Sequence, residues 1–344
     1  MPSFNNRIRQ VLLIVILAFL GYLLSRELYV FLPGFLGAVT LYILSREWNL
    51  YLTEKKGWNK KLAATVLLLG FLVIIGIPIY ITVSLITPKI NSLFHNSQEV
   101  IQGVKSVSAK VKEWTGQELF TDESVQEIQK RVANFIPAFL NSTAVIIGNL
   151  GIMLFVFFFM LTNARRMEKS LSNFIPLREE NINILAAETK NMVRANAIGI
   201  PLISLIQGVF ALIGYVIFGV KEYVLWGFIT GVFAFFPVVG TMIIWIPLVV
   251  YLFSTGNTGQ GIGLGIYSLL ITGNVDYLAR VTLMRRLGDV HPLITVLGVI
   301  VGLSLFGFWG FIFGPLLFSY FLLLYKIYTS EFGPLHGENP HHHG

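Results

Sequence analysis

Along most of this chain apolar residues do not alternate with polar ones; they run. Nearly unbroken apolar stretches occur at about 11–24, 28–45, 62–87, 143–161, 200–218 and 261–279. A hydrocarbon core about 30 Å thick takes roughly 20 helical residues. Lipid offers no partner for a bare N–H or C=O, so these runs are predicted to be membrane helices. The alternating strands of about 10 residues that mark a membrane β-barrel do not occur. Two further runs, Tyr223–Phe253 and Leu293–Tyr328, are long but interrupted. The first is broken at Pro237-Val238-Val239-Gly240 and again at Pro247, the second at Gly307-Phe308-Trp309-Gly310 and at Gly314-Pro315.

Between the third and fourth runs the pattern changes. Val100, Val104, Val107, Val111 and Trp114 recur at helical spacing, as do Val125, Ile128, Val132, Phe135 and Phe139 after a Thr121-Asp122-Glu123 cap signal. These predict two amphipathic helices with heptad-like seams. The seams pack either on each other or between subunits of a homo-oligomer. A second amphipathic region, Met167–Arg194, is interrupted at Pro176. The expected organisation is therefore 1–87 with three membrane helices, 88–141 as an extracytoplasmic amphipathic segment, and 142–199 with a fourth membrane helix and cytoplasmic amphipathic helices. A core with two broken helices follows at 200–330, and then a tail at 331–344 whose three histidines resemble a tag remnant.

Composition agrees with the pattern. The chain is 55% hydrophobic and 12% charged, with a mean hydropathy of +0.72; a soluble domain carries about 25% charge. It lacks cysteine, which excludes disulfides and thiolate chemistry. The net charge of +7 fits a cytoplasmic excess of basic residues rather than a nucleic-acid partner. Arg7 and Arg9 precede the first run, but no small-residue cleavage site follows it, so it is expected to be retained as a helix.

Charge also sets a topology. If each interrupted run dips into the bilayer and returns, 17 of the 25 Lys and Arg residues lie inside and 8 outside. If both runs simply span, Arg280, Arg285 and Arg286 fall outside in a short loop, against the positive-inside rule. The fold expected is an all-α polytopic protein of about six spanning helices plus two re-entrant or broken helical hairpins, arranged as an inverted repeat. The alternative is eight spanning helices. Paired broken helices in inverted repeats are a transporter plan, with the solute site where the breaks meet. Both termini are then cytoplasmic, in a bacterial inner membrane.

Ionisable groups in a membrane segment are costly and mark function. Asn274, Asp276 and Arg280 stand near the end of the 261–279 run, with Asp276 and Arg280 four apart on one helical face. They form either an interfacial ion pair or a coupling site for H⁺ or Na⁺ and solute. Asn149, Gln207, Ser204, Thr230, Thr241, Ser268 and Thr272 are polar groups in apolar context; such groups either line a path or join helices. Gln207 and Thr241 rank highest, because they fall in the repeat units. His291 precedes Pro292 at the mouth of the second interrupted run. No nucleophile elbow, zinc-protease helix or phosphate loop is present, so no enzyme activity, cofactor or resident metal is expected.

Three segments resemble one family. "FVFFFMLTNARR" (Phe155–Arg166), "YVIFGVKEYVLWGFITGVFAFFPVVG" (Tyr215–Gly240) and "HPLITVLGVIVGLSLFGFWGFIFGPLL" (His291–Leu317) are similar to segments of the autoinducer-2 exporter family, whose members are also described as permeases. The resemblance covers about residues 10–328. Tyr277 and Val281 stand where some members carry Asn and Pro. It implies a polytopic transporter, with signal export or Na⁺/H⁺ antiport among the family's activities. Three functions remain open: a secondary transporter exporting a small polar solute such as a quorum-sensing signal, a Na⁺/H⁺ antiporter using Asp276, and a non-transporting membrane scaffold assembling through 88–141.

Overall fold

The computed structural model describes residues 2–95, 127, 145–236, 239–275, 277–278, 282 and 292–332. These residues are helical apart from short turns, with no strand among them. Five runs of helix among them are long and apolar enough to cross a membrane, and three shorter apolar helices accompany them. The chain is an all-α polytopic membrane protein. It divides into two compact units, one drawn from Met1–Leu68 and Asn134–Asn163, the other from Leu69–Ala133 and Ala164–Gly344.

The first unit contains α1 (Pro2–Leu28), α2 (Leu32–Leu50), the start of α3 (Lys60–His95) and α4 (Val145–Thr162). Ser25–Glu27, the polar residues between the first two apolar runs, do not break the helix: all three are helical. The irregularity comes later, as a 3-10 turn at Tyr29–Phe31. Pro33 has no N–H to offer the Tyr29 carbonyl, and the Leu32 N–H bonds that carbonyl instead. Leu28 and Phe31 keep right-handed helical dihedrals. The junction is therefore a bend in a continuous helical run, Asn6–Lys55, rather than a reversal.

Asn149 of α4 holds that bend. Its Oδ1 accepts from Gly34 N at 2.9 Å, and its Nδ2 donates to Val30 O at 3.0 Å. In an unbroken helix Gly34 N would bond Val30 O directly. The Asn149 amide is inserted into the ladder at that rung, a known cause of helix bending. Further along, Met153 packs where Gly37 lacks a Cβ, and Asn49 Nδ2 bonds Leu161 O at 3.0 Å. Residues rise together along both helices, so α2 and α4 run parallel. After α2 a π turn (Tyr51–Lys55) and Gly57, at φ +68°, lead into α3, where Asn59 Oδ1 accepts from Lys61 N.

The second unit contains α5 (Ala164–Phe174), α6 (Glu179–Arg194), a π turn (Ala195–Gly199) and α7 (Ile200–Ile217). It continues with α8 (Tyr223–Phe233), α9 (Met242–Ser254) and α10 (Thr258–Tyr267), which runs into a second π turn (Ser268–Thr272). It ends with α11 (Pro292–Phe306), a 3-10 turn (Gly307–Trp309) and α12 (Gly310–Phe332). Pro201 has no N–H for the carbonyl four residues earlier, which accounts for the π turn just before it.

Neighbouring helices in this unit alternate in direction. Gly208 approaches Gly231 while Gly227 approaches Leu212, so α7 and α8 are antiparallel. Gln260 lies against Gly219 and Tyr267 against Gly214, so α7 and α10 are antiparallel. Gly261 meets Phe253 and Gly265 meets Val249, so α9 and α10 are antiparallel as well. It follows that α8 and α9 oppose each other and the first interrupted run folds back on itself. The second does so more tightly: Gly298 and Gly302 of α11 lie against Gly310, Gly314 and Pro315 of α12, backbone to backbone. Gly307 turns that corner at φ +57°. A core of Ala211, Tyr215, Ile244, Leu248, Leu252 and Leu264 joins α7, α9 and α10.

Candidate functional site

The two interrupted runs come together at their turns. After α8 the chain tightens, with Phe235 N bonding Val232 O and Phe236 N bonding Phe233 O. Phe235 and Phe236 pack on Phe311, at the start of α12, with ring centroids 5.5 and 4.7 Å apart. Phe311 is followed by Phe313, which packs on Phe306 and Trp309 around the second turn.

The helix registers bring further groups to this level. Gly231 faces Ser204 O, so the turn one step beyond it lies level with the start of α7. Tyr267 bonds Phe210 O at 2.9 Å, and one more turn along its helix brings Thr272 level with Gln207. On the other side Tyr320 of α12 hydrogen-bonds Thr189 of α6. Glu331 accepts from Arg178 N and Asn181 Nδ2. Continuing that register towards the start of α12 puts Asn196 level with Gly314 and Pro315.

Four side-chain oxygens in this band are buried without a hydrogen-bond partner among the described residues: Asn196 Oδ1, Ser204 Oγ, Gln207 Oε1 and Thr272 Oγ1. Asn196 and Thr272 are each 1% exposed and Gln207 2%. A buried orphan costs about 1–3 kcal/mol, and native structures rarely tolerate one without cause. Asn196 and Thr272 lie in the two π turns of the second unit, a distortion that recurs at functional sites. The set consists of neutral oxygens, so it suits a partner that donates: hydroxyl groups of a polar solute, or a small desolvated cation.

The residues singled out from sequence divide unevenly around this band. Gln207 belongs to it. Thr241 is buried at the entry to α9, where its carbonyl accepts from Trp245 N. Gly240 is buried against the carbonyls of Phe233 and Phe236, a place with no room for a Cβ. Gly307, Gly310 and Gly314 form the turn and the close helix contact described above. Pro247 and Pro315 are not breaks, because α9 and α12 continue through them. Asn274 is exposed and bonds its own helix at Leu270 O, 2.7 Å away. Pro237, Asp276, Arg280 and His291 lie outside the described residues, as do most of 88–141 and the histidine tail.

Two of the other polar residues are already satisfied. Thr230 bonds Tyr215 and the Trp226 carbonyl, and Asn149 bridges the bend in the first unit. Sequence reasoning missed Asn196 and the Phe235–Phe236–Phe311 contact. The available signal for Asn196 was a lone amide five residues before Pro201 in an apolar setting.

The sequence profile described as AI-2E family transporter matches residues 12–330. An Aquifex aeolicus protein named "Putative transport protein" is 29% identical over 181 residues, covering 52% of this chain and 51% of its own length. One from Methanothermobacter thermautotrophicus with the same name is 28% identical over 186 residues, covering 53% and 55%. The chain spans about half the length of these two relatives. A Pyrococcus horikoshii protein, also named as a transport protein of this kind, is 25% identical over 326 residues, 90% of this chain and 86% of its own.

Proposed function

Because the chain belongs to the AI-2E family of transporters, we propose that it is a secondary transporter that carries a small polar solute, such as a hydroxylated signalling molecule, outward across a bacterial inner membrane. The solute passes where the two folded-back runs meet. The observation that carries this reading is the convergence of both turns, through Phe235, Phe236 and Phe311, on a band holding four unsatisfied oxygens.

The helix directions support the same reading. α7 is followed by a hairpin that first opposes it, and α10 runs opposite to α7. α12 opposes α6, which continues into α7, so the second hairpin has the reverse sense of the first. That is the relation expected of an inverted repeat, in which short half-helices place their ends at a central site. α8 has 11 residues, α9 13 and α11 15. At 1.5 Å per residue each falls short of a bilayer core of about 30 Å, as re-entrant elements do. Cytoplasmic termini and assembly through 88–141 complete the proposal; the seams in 88–141 are also the sole support for a purely scaffolding role.

The test is flux in proteoliposomes against a panel of hydroxylated solutes, under imposed H⁺ and Na⁺ gradients. Ser204→Ala with Thr272→Val removes two hydroxyls at nearly constant shape. Flux at least tenfold lower with intact folding is expected; wild-type flux in the double variant overturns the assignment of the site. A second reading, Na⁺/H⁺ antiport, is favoured by the all-oxygen character of the set, which suits a hard cation. In everted vesicles it requires a Na⁺-dependent pH change that disappears in Asp276→Asn. Survival of the signal removes Asp276 from the mechanism.

A further inference from the structure

The first unit holds a cavity of about 450 Å³, remote in sequence from every residue of the candidate transport site. Lys60 and Lys61 line it on the α3 side, and Phe158, Phe159, Thr162 and Asn163 on the α4 side. Its polar chemistry is one-sided. The Asn163 amide donors are spent on Phe159 O and Thr162 Oγ1, and Thr162 Oγ1 bonds the Phe158 and Phe159 carbonyls. What remains on the donor side are the Asn59 amide and two ammonium groups with six N–H donors. Neither lysine has an ion-pair partner among the described residues, and no carboxylate lines the cavity.

Two observations say what kind of anion fits. Exposed aromatics cluster beside the cavity along the chain: Trp48, Tyr51 and Trp58. Such residues settle at the headgroup level of a bilayer, which places the lysines at that level too. Continuing from the cavity, α4 and α3 present exposed apolar surface. Phe155 and Phe159 are 67% and 59% exposed, with rings 5.9 Å apart, and Leu62 and Val66 are exposed on α3. A charged pocket that runs into an apolar strip has the shape of a phospholipid, with its phosphate above and its acyl chains below. A free phosphate would use the lysines and leave the strip uncovered.

We propose that this cavity is a binding site for the phosphate-diester headgroup of an anionic phospholipid, with Lys60 and Lys61 pairing the phosphate and the Phe155–Phe159 face of α4 receiving an acyl chain. Basic pockets between membrane helices hold anionic headgroups in this manner, each cation adding to the attraction. Nothing in the transport site depends on it, so it stands or falls separately.

The test uses the full chain in nanodiscs containing a photoactivatable phosphatidylglycerol, with cross-links mapped by peptide mass. Cross-links are expected to concentrate in the peptides spanning 59–66 and 155–163. Unlabelled phosphatidylglycerol should compete for them, and phosphatidylcholine and inorganic phosphate should not. K60Q/K61Q should lower the yield on the order of tenfold, while K60R/K61R retains it and K55Q/K56Q, outside the cavity, leaves it unchanged. Cross-links spread evenly over α1–α4, or equal losses in K60Q/K61Q and K55Q/K56Q, overturn the proposal. Displacement by inorganic phosphate overturns the lipid assignment in favour of a free-anion site. The wild-type map decides the matter even if K60Q/K61Q fails to fold.

Discussion

The hairpin of α11 and α12 invites a quantitative test, because its two helices meet with no side chain between them. A Cβ added at Gly298 would lie 2.6 Å from both N and Cα of Pro315 and 2.9 Å from Gly314 C. These are backbone atoms, one pair within a rigid ring, so no side-chain rotation relieves the clash. Carbon contacts settle at about 3.5–4.0 Å, and Gly298→Ala must therefore push the helices apart by about 1 Å. Overfilling a packed site costs about 1–3 kcal/mol. Against that, alanine in place of glycine favours a helix by about 1 kcal/mol, which leaves a net loss of about 1 kcal/mol.

Gly21 of α1, with no atom within 4 Å of a built Cβ, isolates the favourable term. Gly21→Ala should gain about 0.5–1 kcal/mol, so the two alanine variants should differ by about 2 kcal/mol. Reversible unfolding in mixed micelles titrated with a denaturing detergent, followed by tryptophan fluorescence, measures both. The expected gap is on the order of a factor of 30 in the unfolding constant. If Gly298→Ala is as stable as Gly21→Ala, the backbone contact is not what holds the hairpin closed. The close fit of the two turns around Phe311 then has no support from that pair of helices.

Three other changes separate the interactions that hold the fold. Asn149→Leu should cost about 2 kcal/mol and speed hydrogen exchange at Gly34; unchanged exchange there would refute the amide bridge. Glu331→Gln weakens an acceptor shared by Arg178 N and Asn181, so amides at the start of α6 should exchange several-fold faster. That effect should persist at high salt, because Arg178 is too exposed for its charge to matter much. Thr272→Val removes an orphaned hydroxyl and should leave stability unchanged or raise it by about 1 kcal/mol; a loss above about 1 kcal/mol would mean that the hydroxyl has a structural partner.

The helices were legible in sequence because lipid enforces them. A run of apolar residues has no other way to satisfy its backbone, and both interrupted runs fold back on themselves. What the sequence misplaced were details controlled by one missing N–H or one inserted side chain. Ser25–Glu27 looks like a link because it is polar, yet all three residues tolerate a helix, and the irregularity waits for Pro33. Pro247 and Pro315 look like breaks but sit inside helices, since neighbouring helices can re-satisfy the carbonyls they strand. Gly240 and Gly307, by contrast, are true turn positions. The phenylalanine contact between the two turns joins residues about 75 apart in sequence, and no periodicity encodes such a contact.

The polar residues show how far sequence can be pressed. Ser, Thr, Asn and Gln in a membrane helix look alike on paper, because each can bond its own backbone one turn back or bridge to a neighbour. The structure sorts them by what is left over. Thr230 and Asn274 are satisfied locally, and Asn149 is satisfied across helices. Ser204, Gln207, Thr272 and Asn196 keep an unspent oxygen. In the proposed transport role that difference decides affinity. A solute that satisfies two such oxygens recovers about 2–6 kcal/mol, and millimolar binding corresponds to about 4 kcal/mol. A neutral oxygen site in that range holds a solute long enough to be carried and releases it without the separation of an ion pair.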